Sequence, residues 1–109
     1  MYELSVTTRF SAAHRLREYA GECENLHGHN YKVEACVKAE KLDEEGMVAD
    51  FRTIKKLLSQ AVDPLDHSYL NETPPFDEKN PTTENLATCI GESLAQGLPE
   101  GVYVQFVTC

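Results

Sequence analysis

At 109 residues the chain has room for one domain with one core, and too little for two ordinary domains. Hydrophobic residues make up 41% of it and charged residues 26%, a globular balance, and no run of about 18 apolar residues exists to span a bilayer. The net charge of −8 argues against a broad nucleic-acid surface, which needs clustered Lys and Arg to displace counterions.

The chain begins Met1-Tyr2-Glu3-Leu4, without the basic and apolar regions of a secretory leader, so the cytoplasm is the expected compartment. Tyr2, Leu4, Val6, Thr8 and Phe10 alternate with polar residues, which predicts a half-buried strand over 2–10. The segment from Ser11 to Asn25 loses that period and reads as a loop rich in functional groups. Alternation returns with Tyr31, Val33, Ala35, Val37 and Ala39, predicting a long second strand that begins near His27. Asp50 caps a helix whose apolar positions are Phe51, Ile54, Leu57, Leu58, Ala61 and Val62, ending before Pro64.

The stretch from Leu65 to Pro81 holds Pro74, Pro75 and Pro81 and is expected to be irregular. Thr82 or Thr83 then caps a second helix through Leu86, Ile90 and Leu94, stopped by Gly97 and Pro99. Val102, Val104 and Phe106 open a third strand. The order strand, strand, helix, helix, strand predicts one α+β domain over 1–109, with both helices on one face of an antiparallel sheet. An apolar edge strand ending at Cys109 calls for cover, either from another chain or from a segment beyond this one.

His27 and His29 lie two apart at the start of the second strand, so they share a face with backbones roughly 6–7 Å apart. His14 follows the first strand, and pairing of the two strands brings it beside them. Three imidazoles with a fourth position open is the pattern of a catalytic zinc site, although iron, nickel and copper take the same ligands. An isolated His-x-His also suits a satisfied core. Cys23 lies four residues before His27, where it either joins the metal or stands near it with a lowered pKa, able to act as a base. With no CxxC pair in a reducing compartment, Cys23, Cys36, Cys89 and Cys109 are expected to be thiols rather than disulfides or a thiolate cluster. Asp66-His67 joins a carboxylate and an imidazole suited to a proton relay, although adjacent residues in extended chain bond each other poorly.

Taken together, Phe10-Ser11-Ala12-Ala13-His14-Arg15-Leu16, Cys23-x3-His27-Gly28-His29-Asn30-Tyr31, Asp50-Phe51, Leu65-Asp66-His67 and Asn80-Pro81-Thr82-Thr83-Glu84-Asn85-Leu86 resemble the 6-pyruvoyltetrahydropterin synthase family, in order and over nearly the whole chain. The C-x3-H-G-H spacing resembles its bacterial 6-carboxytetrahydropterin synthase branch, which acts in queuosine biosynthesis. The resemblance implies a tunnel fold, with two helices on one face of a four-stranded antiparallel sheet. It also implies homo-oligomers, trimers stacking into hexamers around a barrel, with active sites at subunit interfaces.

By the same resemblance His14, His27 and His29 hold Zn2+, Cys23 is the catalytic thiol, Asp66 and His67 form the relay, and Thr82 and Thr83 line the pterin pocket. The implied reaction converts 7,8-dihydroneopterin triphosphate to 6-carboxy-5,6,7,8-tetrahydropterin with release of acetaldehyde and triphosphate. The alternatives are the 6-pyruvoyl-forming reaction and a zinc-binding assembly module without catalysis. No nucleic-acid or membrane partner is expected. Because the family continues into a glutamate-bearing segment and a further strand, this chain is expected to be truncated at its carboxyl end, with its last strand missing.

Overall fold

β1 (Tyr2–His14) and β2 (His27–Ala39) are 13-residue strands that pair antiparallel in unbroken register, from Tyr2 opposite Ala39 to His14 opposite His27. At about 3.3 Å per residue these long arms account for a molecule 51 Å in its longest dimension and 21 × 19 Å across. The computed structural model describes residues 1–14 and 27–109.

β1 runs four residues further than the sequence pattern marks, so His14 is the last residue of a strand rather than part of a loop. The small residues Ser11, Ala12 and Ala13 blur the polar–apolar contrast, yet the burial period continues beneath it. Val6, Phe10, Ala12 and His14 are all buried on the same side. The inward residues of β2, Tyr31, Val33, Ala35, Val37 and Ala39, complete that face.

β4 (Val102–Thr108) pairs antiparallel with the outer side of β2, with an irregularity in register between Cys36 and Val37. On the opposite edge a two-residue strand, β3 (Ser68–Tyr69), pairs parallel with Ala12 and Ala13 of β1. The sheet order is β3-β1-β2-β4, a mixed sheet rather than a purely antiparallel one. The segment expected to be irregular thus supplies β3 and a 3-10 turn over Leu70–Glu72. Leu70, in that turn, and Phe76 are fully buried, which anchors the stretch to the core.

Two helices cover the inward face. In α1 (Phe51–Val62) the Asp50 carboxylate accepts from the Arg52 N–H at 2.9 Å, as its position before the apolar run requires. The Arg52 N–H, with the guanidinium beside it, holds the Asp50 carboxyl below the usual carboxylate range. In α2 (Thr83–Gln96) the cap is Thr82, whose Oγ1 accepts from the Asn85 N–H at 3.1 Å. Leu86, Ile90 and Leu94 form its buried stripe, each stabilising the fold by roughly 1.5–3 kcal/mol. α1 packs over β1 and α2 over β4, and the helices meet where Gly97 follows α2. A Cβ at Gly97 would stand 2.5 Å from Leu57 Cδ2, so this close approach needs glycine. Cys36, Cys89 and Cys109 are free thiols, and no helix among the described residues is long and apolar enough to cross a membrane.

Candidate metal centre and proton relay

The inward parity of β1 delivers His14 to the interior, where it is 5% exposed. Its Nδ1 lies 2.9 Å from the Pro81 carbonyl oxygen and 3.1 Å from the Tyr31 hydroxyl. A carbonyl can only accept, so the close approach of Pro81 puts the proton on Nδ1 and the lone pair of the neutral ring on Nε2. A backbone carbonyl fixing one nitrogen while the other faces a metal is the usual second layer of a histidine site.

Pro81 is itself well fixed. It is fully buried, the Thr82 N–H donates to Asn80 O at 2.8 Å, and Asn85 Nδ2 donates to the same oxygen at 2.8 Å. The Asn80–Asn85 block thereby starts α2 and orients His14 at once.

His29 pairs with Ala12 across β1–β2, which brings it diagonally beside His14. The two rings meet edge to face with centroids 5.2 Å apart, and His29 reaches the solvent-exposed side. Tyr31 touches both imidazoles, at 6.0 Å from His14 and 5.6 Å from His29, and stacks on Phe10 at 4.7 Å. Burial, with a smaller contribution from the Cys109 thiolate, raises the Tyr31 phenol to about 12, so it stays neutral at ordinary pH. Burial likewise raises the Cys109 thiol to about 11.

His27 occupies the register position opposite His14. Its side chain and the whole of Cys23 lie outside the described residues. Among the described residues no cluster of three His, Cys, Asp or Glu stands together, so the described part of the donor set is His14 with His29. Two neighbouring imidazoles, one of them tautomer-fixed and buried at the edge of solvent, suit a borderline divalent cation such as zinc.

The Asp66–His67 pair is built differently. The chain leaves α1 through a turn in which the Asp66 N–H reaches Val62 O at 3.0 Å. His67 then takes a φ of 53°, the left-handed region that a non-glycine residue enters at a cost. That conformation answers the poor geometry expected of adjacent residues: it brings His67 Nε2 to 3.6 Å from Asp66 Oδ2. Ser11 clamps the turn with both backbone groups. Its N–H donates to Asp66 Oδ1 at 2.9 Å, and its carbonyl accepts from the His67 N–H at 2.6 Å. The His67 side chain is nevertheless 83% exposed.

His67 and His29 line one open depression of about 520 Å³ with Ser11, Gly28 and Asn30, whereas His14 is not part of its wall. The Ser11 hydroxyl donates to Asn30 Oδ1 at 2.6 Å along its floor. Thr82 is occupied as the helix cap one residue from Pro81, and Thr83 is exposed at the first turn of α2. A larger cavity, about 620 Å³, lies at the other end of the sheet between Lys41, Asp50 and Tyr103. It contains none of the histidines, and chemistry rather than size selects the site.

Sequence reasoning gave no role to two groups the structure brings to His14. Tyr31 could have been found, since it follows His29 by two on the same face. The Pro81 carbonyl could not, because a backbone acceptor leaves no side-chain signature.

The family profile described as 6-pyruvoyl tetrahydropterin synthase matches residues 3–109. A putative 6-carboxy-5,6,7,8-tetrahydropterin synthase of Archaeoglobus fulgidus is 38% identical over 93 residues, covering 85% of this chain and 76% of its own. The human 6-pyruvoyl tetrahydrobiopterin synthase is 38% identical over 114 residues, covering 92% and 79%. The dihydroneopterin monophosphate aldolase of Pyrococcus furiosus is 40% identical over 93 residues, covering 85% and 75%. Among solved structures, 6-pyruvoyl tetrahydropterin synthase of Caenorhabditis elegans superposes with a TM-score of 0.79 at 26% identity, covering 96% of this chain and 94% of that one.

Proposed function

Since the chain belongs to the 6-pyruvoyl tetrahydropterin synthase family and has its tunnel fold, we propose that it is a zinc-dependent lyase acting on 7,8-dihydroneopterin triphosphate. The product we assign is 6-carboxy-5,6,7,8-tetrahydropterin, formed with uptake of one water and release of acetaldehyde and triphosphate, as a step toward queuosine. The single observation that carries the metal reading is the buried His14, whose Nδ1 is committed to the Pro81 carbonyl and whose lone pair is therefore on Nε2.

His14, His27 and His29 would hold the ion, with one coordination position left for substrate oxygens. When bound, it supplies Lewis acidity toward those oxygens and so acidifies the neighbouring C–H bonds. Cys23 would take a proton from the substrate side chain, as its spacing from His27 suggests. Asp66 keeps the His67 imidazole ready to accept or return a proton, and Ser11 keeps the Asp66 carboxylate from swinging away. Exposure of the His67 ring suits a relay that serves a site completed by a second copy of the chain. Thr82 and Thr83, beside the Pro81 contact, are the expected wall of the pterin pocket. The working protein is then a homo-oligomer, a trimer or hexamer, in the cytoplasm.

The 6-pyruvoyl-forming reaction is the second reading, favoured by the human relative at the same 38% identity. One experiment separates the readings: incubation of the protein with dihydroneopterin triphosphate and zinc, followed by mass analysis of the pterin. A 6-carboxy product with acetaldehyde is expected. A 6-pyruvoyl product would move the assignment to the second reading. No carboxy, pyruvoyl or retro-aldol product would remove the lyase reading, leaving a metal-binding assembly module.

A further inference from the structure

The hydroxyl of Tyr31 has no part in the chemistry above, yet it is buried against the centre of the site. Tyr31 is 8% exposed and lies flat on Phe10, its register partner on β1, with ring planes 15° apart. Its ring meets the His14 imidazole at 84° and the His29 imidazole at 40°. Its oxygen stands 3.1 Å from the same His14 Nδ1 that approaches Pro81 O at 2.9 Å.

Since the carbonyl accepts, the single Nδ1–H faces two oxygens, and the phenol oxygen is the second acceptor. Rotating the imidazole by half a turn would put carbon where that N–H now is, and both contacts would be lost.

We propose that Tyr31 is a positioning residue of the metal centre. Its oxygen, together with the Pro81 carbonyl, holds His14 in the tautomer and ring orientation that turn Nε2 toward the ion, and its ring limits rotation of His29. The consequence for metal affinity rests on the zinc reading. The hydrogen-bond assignment does not, because it is made by side-chain and backbone atoms of this chain alone.

The test has two arms, run on the protein as it exists. In the metal-free wild type, long-range proton–nitrogen NMR at pH 8 is expected to show His14 with a protonated Nδ1 and an unprotonated Nε2; four histidines keep the spectrum assignable. Tyr31→Phe keeps the ring and the Phe10 stack and removes only the oxygen. It is expected to move both His14 nitrogen shifts toward a tautomeric average and to weaken zinc binding about tenfold by calorimetric titration, with the thermal midpoint near wild type.

A residue that merely fills the core would leave tautomer and affinity where they were, and that pair of results would overturn the proposal. So would an Nε2–H tautomer in the wild type. If the wild type binds no zinc, the zinc reading fails and the tautomer arm alone decides the positioning claim. If Tyr31→Phe does not fold, Tyr31→Met, which also removes the oxygen, takes its place in the comparison with the wild-type spectrum.

Discussion

His14 is 5% exposed, with Nδ1 engaged by a carbonyl and beside a phenol, whereas the His67 side chain is 83% exposed on a backbone held at a φ of 53°. Both lie near the same end of β1, and both belong to the proposed site. The first is fixed by packing, through Pro81 and the Tyr31–Phe10 stack. The second is fixed through its main chain, clamped to Ser11, with its ring left in the open. The difference matches the role proposed for each. A metal ligand works when its lone pair is aimed before the ion arrives, while a proton carrier works when its ring can reach a substrate or a neighbouring chain. The left-handed φ sits on the exposed partner and burial on the enclosed one.

Separating the two regions gives the largest expected effect. Asp66→Ala and His67→Ala are each expected to lower turnover by about 10²–10⁴ while leaving zinc affinity unchanged. Parallel turnover measurements and zinc titrations check this. If zinc affinity falls along with turnover, the two regions are one unit and the contrast drawn above is broken.

A smaller effect concerns stability at alkaline pH, on the buried side only. Tyr31 rises on folding from 10.0 to about 12, and Cys109 from 9.0 to about 11. A buried acid that keeps its proton after the unfolded chain has lost it favours folding less and less as pH climbs. In the reduced, metal-free protein the stability contributed by these two groups is therefore full below about pH 9 and declines up to about pH 12. Urea midpoints across that range measure it, and Tyr31→Phe is expected to flatten the part above pH 10. A midpoint that is level to pH 11 would show both groups to be better solvated than their burial implies.

The smallest effect belongs to the exposed side. Asn tolerates the left-handed region better than His, so His67→Asn is expected to raise stability by up to about 0.5 kcal/mol while turnover is lost. Chemical denaturation at pH 7 reads the change. A loss above about 1 kcal/mol would mean that the His67 ring holds the turn together.

Much of this was legible in the residues. The alternation in β2, the Asp50 and Thr82 caps and the Leu86-Ile90-Leu94 stripe all follow local rules, and local rules sufficed for three strands, both helices and the α+β layer. The end of β1 was missed because Ala12 and Ala13 are small on both faces, so burial alternates where polarity does not. β3 was missed because two residues carry no period and its pairing with Ala12 and Ala13 is made across more than fifty positions of chain. The His14–His29 pairing could be anticipated from spacing and strand pairing. Its fixing by Pro81 could not, being a backbone contact between residues 67 apart. The geometry of the Asp66–His67 pair depends on the φ of His67, which no neighbouring glycine or asparagine announces.

The measurement that bears most directly on the account is zinc content per chain, by elemental analysis of the purified protein and of His14→Ala and His29→Ala. One zinc per chain is expected in the wild type and close to none in either variant, with both variants still folded by circular dichroism. One zinc per chain at unchanged affinity in both variants would contradict the three-histidine centre.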